Sequence, residues 1–216
     1  MSKILYIDAG HGSLDANGSY TTPAHKGKWF DHRKGQFHKG SIFYEGVWNR
    51  SFAAKFIEMA TQVGFHCVPV YDPIQDTLLG KRVENANIYS KEVVAGKGVY
   101  LSFHSNASGA GTARGFNLFY HPKSARGKNL ATEIVADIQS VFVAAGSKSP
   151  QPLREGYMDA QKKDIYYVLE ATTMPSLLFE FGFFDNYEDA SLIFTDAFQC
   201  DLALQLVNSL SKATLY

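Results

Sequence analysis

Four short apolar runs separated by helix-patterned stretches constrain this 216-residue chain to an α/β sheet. They lie at residues 4–7, 65–70, 99–103 and 176–182. Apolar residues follow one another in these runs instead of alternating, which is the pattern of strands covered on both faces. Between them, Val47, Phe52, Phe56, Met59 and Val63 recur at helical steps until Gly64. Helices are also predicted over 79–95, where 96–98 close the run, over 124–145, and in the closing stretch around Leu192 and 194–210. Gly115 to Tyr120 and residues 165–169 read as further strands, and 147–163 as a polar loop. The expectation is one α/β domain: a twisted, mainly parallel (mixed) sheet with helices on both faces and right-handed crossovers. No repeat or interdomain linker interrupts residues 1–216.

Composition narrows the partners. Hydrophobic residues make up 45% and charged residues 19%, enough for a sizeable core. Lys+Arg and Asp+Glu are 21 each, so no global field points to nucleic acid. Cys67 and Cys200 fall in an apolar strand and a helix, as expected of buried thiols and not of a metal pair or disulfide. No stretch approaches the ~18–20 apolar residues of a membrane span. The chain enters its first strand directly after Met-Ser-Lys, without a leader pattern. The expectation is a protein made in the cytoplasm, monomeric, and carried to its place of action by other means.

Residues 13–43 are polar and glycine-rich but hold Tyr20, Trp29, Phe30 and Phe37. Disordered segments are poor in aromatics, so this stretch reads as a partly ordered flap with a short hairpin. His25, His32 and His38 within it are expected to be solvated loop residues.

The first strand delivers Asp8-Ala9-Gly10-His11-Gly12, and the third delivers His104-Ser105-Asn106. In open α/β sheets, ligands bind beyond the carboxyl ends of the strands, where both histidines fall. Glu45 lies in the first turn of a helix, where an acid also simply complements the dipole. Glu180 interrupts an apolar strand. A carboxylate there is costly unless it is paired, metal-bound or used as an acid or base. Arg82 or Arg114 would be the partner in a purely structural role. Two histidines and a glutamate make up a catalytic zinc set with the fourth position open to water. A second glutamate, not a ligand, can move the proton. No His-Glu-x-x-His helix is present.

Together these segments resemble the zinc-dependent N-acetylmuramoyl-L-alanine amidases of the amidase-3 type. The resemblance is carried by residues 8–12, Glu45 with Asn49, Arg82 with Ala86-Asn87, residues 102–106, Gly115-Phe116 and residues 175–183. They stand in family order from residue 4 to about 210. The resemblance implies His11, Glu45 and His104 as zinc ligands and Glu180 as general base and acid. It implies peptidoglycan as substrate, cut between N-acetylmuramic acid and the first L-alanine of the stem peptide. The 13–43 flap is longer than the family's usual connection, which keeps a loop histidine as the rival to Glu45. No separate wall-binding domain is predicted, so the flap's aromatic and basic residues are the expected glycan and peptide contacts. A phage-type lysis enzyme, or one delivered by a phage or injection particle, is the expected setting. The rival functions are a zinc peptidase cutting elsewhere in the stem and a catalytically silent wall-binding or phage structural protein.

Overall fold

The computed structural model describes residues 3–93 and 98–215. In chain order it forms β1 (Ile4–Ala9), β2 (Trp29–Asp31), β3 (Ile42–Tyr44), α1 (Glu45–Gln62), β4 (His66–Pro69), α2 (Leu79–Val93) and β5 (Val99–Asn106). There follow β6 (Phe116–Tyr120), α3 (Ala125–Ala144), β7 (Leu153–Glu155), α4 (Tyr167–Glu170), β8 (Ser176–Phe183), α5 (Tyr187–Phe194) and α6 (Asp196–Lys212). Six strands make one sheet in the order β4-β1-β5-β8-β6-β7. Strands β4, β1, β5 and β8 run parallel, β6 is antiparallel to β8, and β7 is parallel to β6. This is the mainly parallel mixed sheet expected.

Strand alternation divides each central strand between two apolar layers. Leu5 and Ile7 of β1, with Phe103 and Phe179, join Phe52 and Phe56 of α1, Ile134 and Ile138 of α3, and Leu202 and Leu206 of α6. On the other face Tyr6, Tyr100 and Leu178 join Val83 and Ala86 of α2 and Val168 and Leu169 of α4. Burial on both faces explains the runs of adjacent apolar residues in these strands, with the polar ones of β1 and β5 gathered toward their carboxyl ends. No single helix among the described residues is long and apolar enough to cross a membrane.

Local chemistry sets the helix ends. Ser124 caps α3 by accepting a hydrogen bond from Gly127 N–H at 3.0 Å. Thr195 caps α6 and splits the closing helical stretch in two. Helix α1 has no side-chain cap. The flap serves instead: Glu45 N–H donates to Lys28 O at 3.1 Å, and Gly46 N–H donates to Tyr20 Oη at 2.9 Å.

Some expectations are corrected. Residues 165–169 are not a strand. Ile165 makes one bridge to Tyr157, and the chain then turns into α4. A run this short reads equally as strand or buried helical turn, and contacts to the second apolar layer decide it. The 147–163 loop contains the edge strand β7, whose Arg154 and Glu155 are exposed. The predicted hairpin in the flap is β2–β3. The end of the second helix, predicted to reach residue 95, lies with residues 96–97 outside the described residues. Cys67 and Cys200 are both free and only partly buried.

One irregularity sits beside the site. His104 pairs with Glu180 but Asn106 pairs with Phe183, so β8 holds one extra residue there. Gly182 takes it up at φ 68, a left-handed conformation that favours glycine.

Candidate active site

The first functional side chain is held in a strained turn. After β1, Gly10 N–H donates to Phe103 O at 3.0 Å, keeping the chain on β5. His11 then adopts φ 63, a conformation uncommon for a residue with a side chain. Two arginines secure it. Arg82 Nη2 donates to His11 O at 2.8 Å, and Arg50 Nη2 donates to the same oxygen at 2.7 Å. Arg82 Nη1 also donates to Ala9 O at 2.6 Å, and Asn49 Nδ2 donates to Gly10 O at 3.1 Å. Arg82 is buried by its ion pair with Asp8, which also accepts from Ser102 Oγ at 2.7 Å. This network aims the imidazole out of the turn.

Three predicted ligands converge. His11 Nε2 stands 3.2 Å from Glu45 Oε1, and His104 Nδ1 stands 3.0 Å from the same oxygen. The two rings meet edge-on at 5.0 Å, and one ligand atom from each of the three residues lies within 4.8 Å of the others. Glu45 is fully buried at the first position of α1. Burial alone would raise its pKa, but the His11 and Lys28 charges and the His104 hydrogen bond hold it well below the usual range. Burial lowers His11 despite the neighbouring Glu45. For His104, burial is outweighed by the Glu45 hydrogen bond and the Glu180 and Glu45 charges, and its pKa rises.

This donor set suits a cation. Among the described residues His11 Nε2 is buried with no hydrogen-bond partner and faces a carboxylate, while Glu45 Oε2 has the Lys28 ammonium at 3.4 Å but no hydrogen bond. A buried imidazole nitrogen without a hydrogen-bond partner beside a buried carboxylate is costly, and a cation shared with the facing Glu45 oxygen would satisfy both. Two imidazole nitrogens and one carboxylate oxygen are a zinc-type set.

Glu180 lies beside the triad and outside it. The β5–β8 register places it next to His104, and the β6–β8 register places Asn117 on its other side. Its Oε2 is buried with no hydrogen-bond partner among the described residues. Burial, aided by the Glu45 charge and opposed by His104 and Lys28, pushes its pKa up to about 7. Neither candidate arginine neutralises it. Arg82 belongs to Asp8, and Arg114 pairs with Asp189 at 3.0 Å and Glu188 at 2.6 Å. A cleft of about 510 Å³ opens beside the histidines, lined by Gly10, His11, Asp76, Leu78 and His104.

No flap histidine joins this group. His25 is exposed. His32 packs among Phe30, Phe37 and Tyr187, with Nε2 3.0 Å from Phe184 O. His38 Nδ1 accepts from Tyr44 N–H at 2.9 Å, and its ring meets Phe43 and Phe194. The latter two are thus partly buried structural residues and not solvated ones. Burial depresses His38 to about 4. Unfolded histidine titrates near 6.5, so the folded flap is fully favoured above that pH and loses stability as pH falls toward about 4. At pH 5 the loss is about 2 kcal/mol. Amide exchange at Tyr44 is therefore expected to quicken between pH 7 and 5, after correction for intrinsic rates. His38→Gln should flatten that dependence, and an equal slope in both proteins would remove His38 as its source.

Three residues at the site were not singled out as site residues from sequence. Asp8 and Arg50 act on the His11 turn, and Lys28 reaches Glu45 Oε2 at 3.4 Å from the flap. Only the pairing of Trp29 with Tyr44 next to it brings Lys28 there.

Across residues 5–212 the chain matches the N-acetylmuramoyl-L-alanine amidase family. The uncharacterized protein YqiI of Bacillus subtilis (strain 168) is 24% identical over 213 residues, which are 97% of this chain and 84% of that one. Among solved structures, Cwp6 from Clostridium difficile superposes with a TM-score of 0.74 at 22% identity, over 98% of this chain and 29% of Cwp6. The catalytic domain of CwlV, an N-acetylmuramoyl-L-alanine amidase from Bacillus (Paenibacillus) polymyxa var. colistinus, superposes with a TM-score of 0.68 at 23% identity, over 97% of each chain. At these identities the superpositions establish a shared fold.

Proposed function

Since the chain belongs to the N-acetylmuramoyl-L-alanine amidases, the peptidoglycan hydrolases that free the stem peptide from N-acetylmuramic acid, we propose that His11, Glu45 and His104 hold a zinc ion and that Glu180 moves the proton. The observation that carries this reading is the convergence of one ligand atom each from His11, Glu45 and His104, the His11 nitrogen without a hydrogen-bond partner, beside a carboxyl that has no ion-pair partner among the described residues. Zinc bound there would supply a water with a pKa of about 7 and a Lewis acid for the amide carbonyl.

The chain's own residues do the rest. Glu180 has a pKa of about 7, so near neutral pH it can accept a proton from the attacking water and also give one up. The hydroxyl goes to the lactyl carbonyl carbon, the C–N bond breaks, and the proton passes from Glu180 to the departing alanine nitrogen. A carboxylic acid and an amine result, with all atoms of water accounted for. The clamp of Arg50 and Arg82 on the His11 carbonyl keeps that ligand oriented between turnovers.

Digestion of purified peptidoglycan, with and without a chelator, tests the assignment. Intact stem peptides beginning at L-alanine are expected, and only in the metal-replete arm. Freed amines within the stem would transfer the same residues to a peptidase. Undiminished release after chelation would remove the metal.

A further inference from the structure

The flap contributes a cation to this site. Beyond Trp29↔Tyr44, the β2–β3 pairing continues as the hydrogen bond from Glu45 N–H to Lys28 O. Lys28 is therefore fixed opposite Glu45 by backbone, and its Nζ lies 3.4 Å from Glu45 Oε2. The two oxygens of Glu45 face different groups. Oε1 meets His11 and His104, while Oε2 meets the ammonium and has no hydrogen bond among the described residues. The Glu45 side chain is fully buried, and that of Lys28 is 35% exposed.

We propose that Lys28 is a positioning residue that occupies Glu45 Oε2, so that Glu45 offers the metal one oxygen and the remaining coordination position stays open for water. The proposal rests on reading His11, Glu45 and His104 as metal ligands. A carboxylate can serve a cation through one oxygen or both, and a second oxygen would fill the position that hydrolysis needs. Turning Oε2 toward the ion would break the ion pair with Lys28 inside a desolvated site, where such a loss is costly. The flap thus does more than border the cleft: its folded hairpin sets the denticity of a ligand on α1. Groups that hold a ligand in place commonly matter about 10- to 100-fold for affinity or activity.

The test compares the wild type with Lys28→Met and Lys28→Arg, and uses His104→Ala as the control for the ligand set. Zinc affinity is read by competition with a chromophoric chelator. Coordination is read from the visible spectrum of the cobalt-loaded protein, which weakens as the ion gains a fifth ligand. Turnover is read on a soluble muropeptide. Lys28→Met is expected to bind zinc at least as tightly as the wild type, show a weaker cobalt band, and lose about 10- to 100-fold in kcat at unchanged KM. Lys28→Arg should restore both the band and kcat. A Lys28→Met cobalt spectrum that superposes on the wild type would overturn the proposal, as would loss of zinc from that variant together with a lowered Tm. Failure of the underlying ligand reading looks different: the wild type would take up no zinc, or His104→Ala would keep full affinity.

Discussion

Glu180→Gln is expected to bind zinc like the wild type and to lose about 10²- to 10⁴-fold in kcat, the range for removing a general acid-base group. Glutamine preserves the shape of the side chain but can neither take a proton from water nor return one. Among the described residues Oε2 of Glu180 has no hydrogen-bond partner and no arginine neutralises the carboxyl, so the exchange strands no partner there. Burial already disfavours its charged form. The variant should therefore be at least as stable as the wild type, the trade of stability against activity seen at strained sites. Metal analysis, thermal melting and release of L-alanine amines check this together. Loss of zinc would place Glu180 among the ligands, and retained turnover would take the proton step away from it.

Gly10→Ala should be nearly as damaging as removing a ligand. A Cβ at this position would stand 2.0 Å from His104 Cε1 and 2.4 Å from its Nε2. Neither side yields readily. The hydrogen bond from Gly10 N–H to Phe103 O holds the turn against β5, and Asn49 holds the Gly10 carbonyl. The imidazole must swing away from Glu45, at an overpacking cost of about 1–3 kcal/mol. Zinc affinity should fall by about 10- to 100-fold or more, approaching that of His104→Ala. Competition against a chelator measures it, and wild-type affinity in Gly10→Ala would show that His104 has room to spare.

The strands that build the site were legible because burial on both faces leaves a run of adjacent apolar residues, as in β1, β5 and β8. His11 and His104 could be placed at carboxyl ends of such runs, and Glu180 stood out as a charge within one. Residues 165–169 were misread because a five-residue apolar run has no period long enough to distinguish strand from helical turn. Only contact of Val168 and Leu169 with the α2 layer decides it. Strand β7 escaped notice for a related reason: an edge strand with two exposed charged residues of three carries almost no apolar signal. His32 and His38 looked solvated because the flap around them is rich in polar residues and glycine, whereas their neighbours in space are Phe37, Phe43, Tyr187 and Phe194.

What the sequence determined by itself is the central strands, the helices that cover them and the candidates His11, His104 and Glu180, since each is written in local pattern: adjacent apolar positions, helical spacing, a histidine after a strand, a charge where none is cheap. What tertiary structure decided is which groups serve those residues. Arg82 went to Asp8 and the His11 turn instead of to Glu180, leaving that carboxyl without an ion-pair partner among the described residues. Lys28 came to Glu45 through a hairpin register that no spacing along the chain announces. The physical reason is range. Burial pattern and backbone preference act on neighbours in sequence, but an ion pair or a ligand contact acts over a few ångströms of space, and folding alone sets that distance.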